Sequence, residues 1–316
     1  MKNINLRKNA NYISFDNLNC YKLSGDDCEE ILDFNLTKSV EFADTMTANY
    51  HFALNNDGNI IAEVILFKLE NEFLLFSDCN IEEIINNTEG IQIDNQENLT
   101  IIQIEGANSL NIIKNIETDE NVDSIEFKEV ITGNFNEKRI YISRFGFTGE
   151  MGYQIILPKN EKSEFIKRYM SSIENISREN YIYTLFEVGH PIKEIYNTQK
   201  FNLNELGYIW NIDFTKEKFR GKEELLSQLH KLKRHVIGFK TKDKIDVMEK
   251  IYFDNLLIGE VVTIYYDSDQ KQYKGLIMLD NQFAHSNISF VSENSNNIKT
   301  ISSPYTIPES WKNNEF

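Results

Sequence analysis

Cysteine is scarce: the 316-residue chain has three, Cys20, Cys28 and Cys79. An odd number at these spacings fits no metal or redox pattern, so they read as reduced thiols. Basic residues are in deficit too, 33 Lys and Arg against 49 Asp and Glu, for a formal net charge of -16. That balance argues against nucleic acid, whose binding rests on cations neutralising phosphates, and against anionic membrane surfaces and acidic protein partners. No stretch approaches about 18 uninterrupted apolar residues, and Met1 to Asn11 is polar with no apolar core of signal-peptide length. These absences place the chain in the cytoplasm. The five histidines are scattered, and His230 with His235 lacks the spacing that would put both on one helical face, so no metal is expected. Internal repeats and low-complexity linkers are missing as well.

What is present is an ordinary soluble composition, 41% hydrophobic and 26% charged, in a chain longer than one compact domain requires. A sizeable core in two or three subdomains is expected. A strand at Tyr21 to Ser24 leads to a helix opening at Gly25-Asp26-Asp27, with Asp26 as N-cap, and running through Leu36. Tyr50 to Leu54, Asn59 to Leu69 and Glu72 to Ser77 form a meander, divided at Asn55-Asn56-Asp57-Gly58 and Glu70-Asn71. Helices are expected at Ile81 to Thr88, Asn108 to Ile116, Asn160 to Ile176, Glu179 to Pro191 and from Phe219 to about Leu232. Strands are expected at Leu99 to Glu105, Arg139 to Ser143 and Tyr153 to Leu157. This mixed order indicates an α+β fold. From His235 the character shifts to short strands, Val236 to Phe239, Lys250 to Asp254, Leu257 to Tyr266 and Gly275 to Leu279, and Ser292 to Asn297 reads as a polar turn. The expected division is residues 1–234 as two intertwined α+β subdomains and residues 235–316 as a separate antiparallel β-barrel domain.

Glu63 stands alone in the apolar run Ile60 to Phe67. Period-two reading puts Ile61, Glu63, Ile65 and Phe67 on one face and Ile60, Ala62, Val64 and Leu66 on the other, so neither face reads as solvated. A carboxylate removed from water costs several kcal/mol unless it is paired, and burial raises its pKa. Either a cation holds it or chemistry uses it.

The segment Ser143-Arg144-Phe145-Gly146-Phe147-Thr148-Gly149-Glu150-Met151-Gly152-Tyr153-Gln154-Ile155 reads physically as a tight turn before a strand. Its glycines permit positive φ, and Thr148 and Glu150 tie it down. It resembles the SRTGYTGEDGFEI signature of the glycine cleavage T-protein (aminomethyltransferase) superfamily. Tyr50 to Glu63 is similar to the family's YTLMLNEQGGIIDD without a gap. Leu23-Ser24-Gly25-Asp26, Glu187-Val188-Gly189-His190-Pro191, Phe219 to Leu225 and Leu257 to Thr263 resemble further elements in the same order.

The resemblance implies a three-subdomain cloverleaf around a channel for tetrahydrofolate, with a C-terminal antiparallel β-barrel. It puts Glu63 where the second of two family aspartates hydrogen-bonds the folate and assists transfer. Tyr50, Ile65 and Phe67 fall at channel positions. Glu187 falls at the glutamate that grips the pterin, whose amino-pyrimidine edge presents adjacent donors to a two-oxygen fork. Lys216 falls near a basic residue that meets the folate tail. The read-out is an enzyme moving a methyl or aminomethyl-type group from a small substrate to tetrahydrofolate. The competing class is a non-catalytic folate-binding or accessory protein. Ala62 replaces the first aspartate of the pair, and the charge of -16 opposes the acidic lipoyl carrier of the family. The cysteine motif of the iron-sulfur assembly subgroup is missing around Lys218 to Glu223.

Overall fold

A computed structural model describes residues 5–198 and 200–312. Its contacts group the chain into two compact units. One gathers Asn5–Arg178, Asn211–Lys222 and the segment from Pro308; the other gathers Glu179–Trp210 and Glu223–Ile307.

The first unit holds two sheets. The meander forms as its alternation requires: Thr47–Leu54, Ile60–Lys68 and Phe73–Ser77 are antiparallel neighbours, continued by Asn19–Ser24 and Gln92–Asn95. Ala62, Val64 and Leu66 on one face of the central strand pack with Leu32 and Leu36 from the helix Cys28–Asn35 and its end. Truncating Leu32 there would cost about 2–5 kcal/mol. The opposite face carries Glu63, Ile65 and Phe67. The second sheet has six strands in the order Glu174–Asn175, Asn11–Ser14, Leu99–Glu105, Gly152–Pro158, Lys138–Ser143, Val130–Phe135. Ile102, Ile104, Tyr153 and Ile155 face a core shared with Ile113 and Phe165. Ile101, Gln103 and Glu105 therefore point to the other side.

In the second unit six strands close into a barrel, in the order Arg234–Thr241, Gln272–Asp280, Leu256–Asp267, Lys250–Phe253, Ser289–Ser292, Asn297–Ile301. Phe239, Ile277 and Leu279 fill it. The last two strands are additions to the sequence reading. Each offers one core residue, Phe290 or Ile298, among polar neighbours, so neither carries a hydrophobic run.

Helices are shorter than the sequence spacing predicts. Ile81–Ile84 ends after one turn, held by a capping box between Asn80 and Glu83. Lys162–Tyr169 stops well before Ile176, because Ile173 packs in the sheet core and the Ile176 amide bonds the Tyr12 carbonyl at 2.9 Å. Asp27, not Asp26, takes the N-cap position of Cys28–Asn35, and it makes no side-chain cap bond. Among the described residues no helix is long and apolar enough to cross a membrane. The three cysteines are free. Burial pushes the Cys20 and Cys28 thiols up to about 12, so both stay protonated and unreactive.

Candidate functional site

Glu63 pairs directly with Phe52 on one side, while the neighbouring strand on the other side ends at Ser77, whose hydroxyl donates to the Glu63 carbonyl at 2.8 Å. Because the third strand stops there, Glu63 is half-buried rather than enclosed. This corrects the expectation that neither face is solvated. The acid sits at the open end of an apolar face, where water reaches it. Along that face lie Ile65, opposite Tyr50, and Phe67, opposite Ala48, all buried.

Tyr50 meets Phe52 edge-on at 5.6 Å and Phe147 at 5.4 Å between ring centroids. Phe147 comes from the glycine-rich turn. It continues to Phe145 at 5.2 Å, which stacks on Phe127 at 5.7 Å. The turn thus delivers an aromatic wall to the strand face that bears Glu63.

The polar groups of the turn are occupied in holding it. The buried Glu105 carboxylate accepts from the Phe147 amide at 3.1 Å, the Thr148 amide at 2.8 Å and the Thr148 hydroxyl. Glu150 accepts from Arg7 Nη1 at 3.1 Å, from the Glu309 and Ser310 amides at 3.0 and 2.9 Å, and from the Ser310 hydroxyl at 2.6 Å. Gly149 has φ +75, which favours glycine, and a Cβ on Gly152 would come within 2.7 Å of the Gly146 Cα. The signature segment is a scaffold, and Glu150 is one of its ties.

Lys216 is buried, and its Nζ donates to the carbonyls of Asp33, Leu36 and Lys38 at the end of the helix Cys28–Asn35, beside the Asp33 carboxylate at 3.3 Å. Burial lowers its pKa, and Asp33 opposes that shift. Glu187 belongs to the second compact unit, so it is placed there by itself. It is buried on the helix Arg178–Val188. Its Oε1 accepts from the Thr306 hydroxyl at 2.7 Å and its carbonyl from the Tyr305 amide at 2.7 Å.

Two features escaped sequence reasoning. Gln103 and Gln154 lie directly opposite each other on adjacent strands, both fully buried. Gln103 Nε2 donates to the Phe145 carbonyl at 2.8 Å, but its Oε1 and both amide atoms of Gln154 have no protein partner. The signal was the alternation Ile101-Gln103-Glu105, polar at period two within an apolar strand. The other is His51, buried with neither ring nitrogen bonded. Its pKa is held well below 6.5 by burial and by the charges of Lys38, Lys216 and Lys128. No signal in the sequence joins these groups, which come from distant segments. Among the described residues no group of three His, Cys, Asp or Glu could hold a metal ion.

Comparison with known proteins adds a family and a fold. The GCVT N-terminal domain profile matches residues 3–212. An aminomethyltransferase from Halothermothrix orenii is 28% identical over 210 residues, 60% of this chain, which spans 57% of that protein's length. One from Caldanaerobacter subterraneus subsp. tengcongensis is 25% identical over 287 residues, 83% of this chain and 75% of that protein. The structure of glycine cleavage system aminomethyltransferase T from Bartonella henselae matches with a TM-score of 0.82 at 16% identity, covering 95% of this chain and 87% of that one. This likeness fixes the fold as that of the T-protein.

Proposed function

Because this chain belongs to the GCVT N-terminal domain family, we propose that it is a tetrahydrofolate-binding one-carbon transferase, moving a methyl or aminomethyl-type group from a small substrate to tetrahydrofolate. The observation that carries this reading is the contact of Phe147, from the signature turn, with Tyr50 on the strand face that also bears Glu63, Ile65 and Phe67. It brings apolar and aromatic side chains together with one half-buried carboxylate, the composition of a site for a flat heteroaromatic ligand.

The residues present suit that ligand. A pterin edge carries both donors and acceptors, and the buried amides of Gln103 and Gln154 retain both kinds of group without protein partners. When bound, tetrahydrofolate supplies an amine that accepts the one-carbon unit. The Glu63 carboxylate orients that amine and takes up or returns its proton; half-burial keeps the carboxylate in exchange with solvent. Assistance of this kind contributes about 10²- to 10⁴-fold in rate. Tyr50, Ile65, Phe67 and Phe147 wall the ligand and exclude water. Lys216 fixes the helix end while adding positive charge to its surroundings.

Thermal or urea unfolding with added tetrahydrofolate tests the binding half. A ligand at 100 times its Kd should add about 2.7 kcal/mol. No shift at saturation would defeat the proposal. With binding established, Glu63→Gln should lower turnover with a small one-carbon donor by at least about 10²-fold while binding survives. Binding without turnover with any donor would instead make the chain an accessory folate-binding protein.

A further inference from the structure

The barrel carries a second site, independent of the transferase reading. Lys240 lies directly opposite Lys274 on one neighbouring strand and directly opposite Lys299 on the other, so three ammonium groups form a row across three adjacent strands. All three alternate with inward-facing residues, Phe239, Ile277 and Ile298, and therefore project from the outer face. Like charges directly opposite one another destabilise a sheet. In a chain of net charge -16 such a row needs a reason.

The three lysines line one cavity of about 320 Å³, with Gln270, Gln272, Ser302 and Tyr305 among its other walls and no Asp or Glu in the lining. Lys240 and Lys299 are exposed at its rim, whereas the Lys274 side chain is 3% exposed. Asp267 lies 2.8 Å from the Lys274 ammonium and balances one charge. Beyond that ion pair the Lys274 Nζ has no hydrogen-bond acceptor. Asp267 Oδ1 meanwhile accepts the amides of Asp269 and Gln270, both at 3.0 Å. The Tyr305 ring lies against Gly238, where a Cβ would come within 2.1 Å of it, and burial pushes its phenol up, so the hydroxyl remains a protonated donor. A buried ammonium with one ion-pair partner and donors to spare, two exposed lysines in register with it and a surplus of positive charge make a cradle for negative oxygen.

We propose that this cavity binds a multiply charged oxyanion, a phosphoryl group or a cluster of carboxylates, with Lys274 as the buried anchor and Lys240 and Lys299 closing over the charge.

Isothermal titration of the full chain with inorganic phosphate and, separately, with citrate tests this, each against potassium chloride at matched ionic strength. Saturable binding is expected, weakening as salt rises. Tighter phosphate binding assigns the site to phosphoryl groups, and tighter citrate binding assigns it to polycarboxylates. The double variant Lys240→Gln, Lys299→Gln alters exposed side chains and leaves the buried ion pair intact. It should weaken the preferred anion at least tenfold. Lys218→Gln with Lys231→Gln, exposed lysines outside the cavity, should leave affinity unchanged. Absence of saturable binding by both anions, or equal loss in the two double variants, overturns the proposal.

Discussion

The turn Gly146 to Gly152 and the strand Ile60–Lys68 both carry a glutamate, and the two glutamates are built in opposite ways. Glu150 is enclosed and receives four hydrogen bonds from Arg7, Glu309 and Ser310. Glu63 is half-buried at the end of an apolar face, where the neighbouring strand has stopped. The more recognisable segment is thus the one whose polar groups are committed to structure. Chemistry requires a group that solvent and ligand can reach, and a motif whose carboxylate is enclosed by its own ties is a frame that presents Phe147 to Tyr50.

The largest effect should come from breaking the frame. Glu150→Ala removes the carboxylate that faces the nearly buried Arg7 guanidinium and leaves the Ser310 donors without their acceptor, and should lower unfolding free energy by about 3–5 kcal/mol, read by urea denaturation. Glu63→Gln should change the same quantity by about 0.5 kcal/mol or less, since its carboxylate is already in part solvated. If both variants lose stability equally, the contrast between frame and working acid fails.

A smaller effect sharpens the boundary between the two regions. Gln154→Met replaces an unbonded buried amide by a side chain of similar length and should stabilise the free protein by about 1 kcal/mol. The variant should also gain less from tetrahydrofolate than the native chain does. Destabilisation would mean that the amide is satisfied by ordered water and belongs to the frame.

The smallest effect concerns the charge of Lys38. Burial, aided by Lys128, lowers the Lys38 pKa from 10.5 to about 8. Between those values the unfolded chain holds a proton that the folded one has released. Stability from this group is therefore least below about pH 8 and rises as the pH climbs toward 10.5. Lys38→Met should stabilise the protein at pH 7 by about 1 kcal/mol or less, and that gain should fade by about pH 10 in thermal unfolding. A gain independent of pH would show that Lys38 is not confined in its charged form.

Much of the fold was legible because periodicity and pairing agree. Leu99–Glu105 forms with the bounds its apolar run marks, and the meander and the barrel stand where their alternating segments fall. Among the strands that the sequence reading missed, Ser289–Ser292 and Asn297–Ile301 each place a single residue in the core, too little for a local pattern. Helix ends were overrun because Ile173 and Ile176 satisfy a helical period yet are claimed by the sheet. Of the candidate site, the order of residues along the strand was readable, but their exposure was not.

By itself the sequence determined the family, the α+β class, the sharing of one strand face by Glu63, Ile65 and Phe67, and the charge balance, since each depends on residue identity at fixed spacing. Only the tertiary structure decided that Glu63 is half-solvated, that Glu150 and Lys216 hold backbone ends, that Gln103 meets Gln154, and that three lysines stand in one row on the barrel. Those outcomes depend on where a neighbouring strand stops and in which register it pairs, and register is set by long-range packing that no local stretch of chain contains.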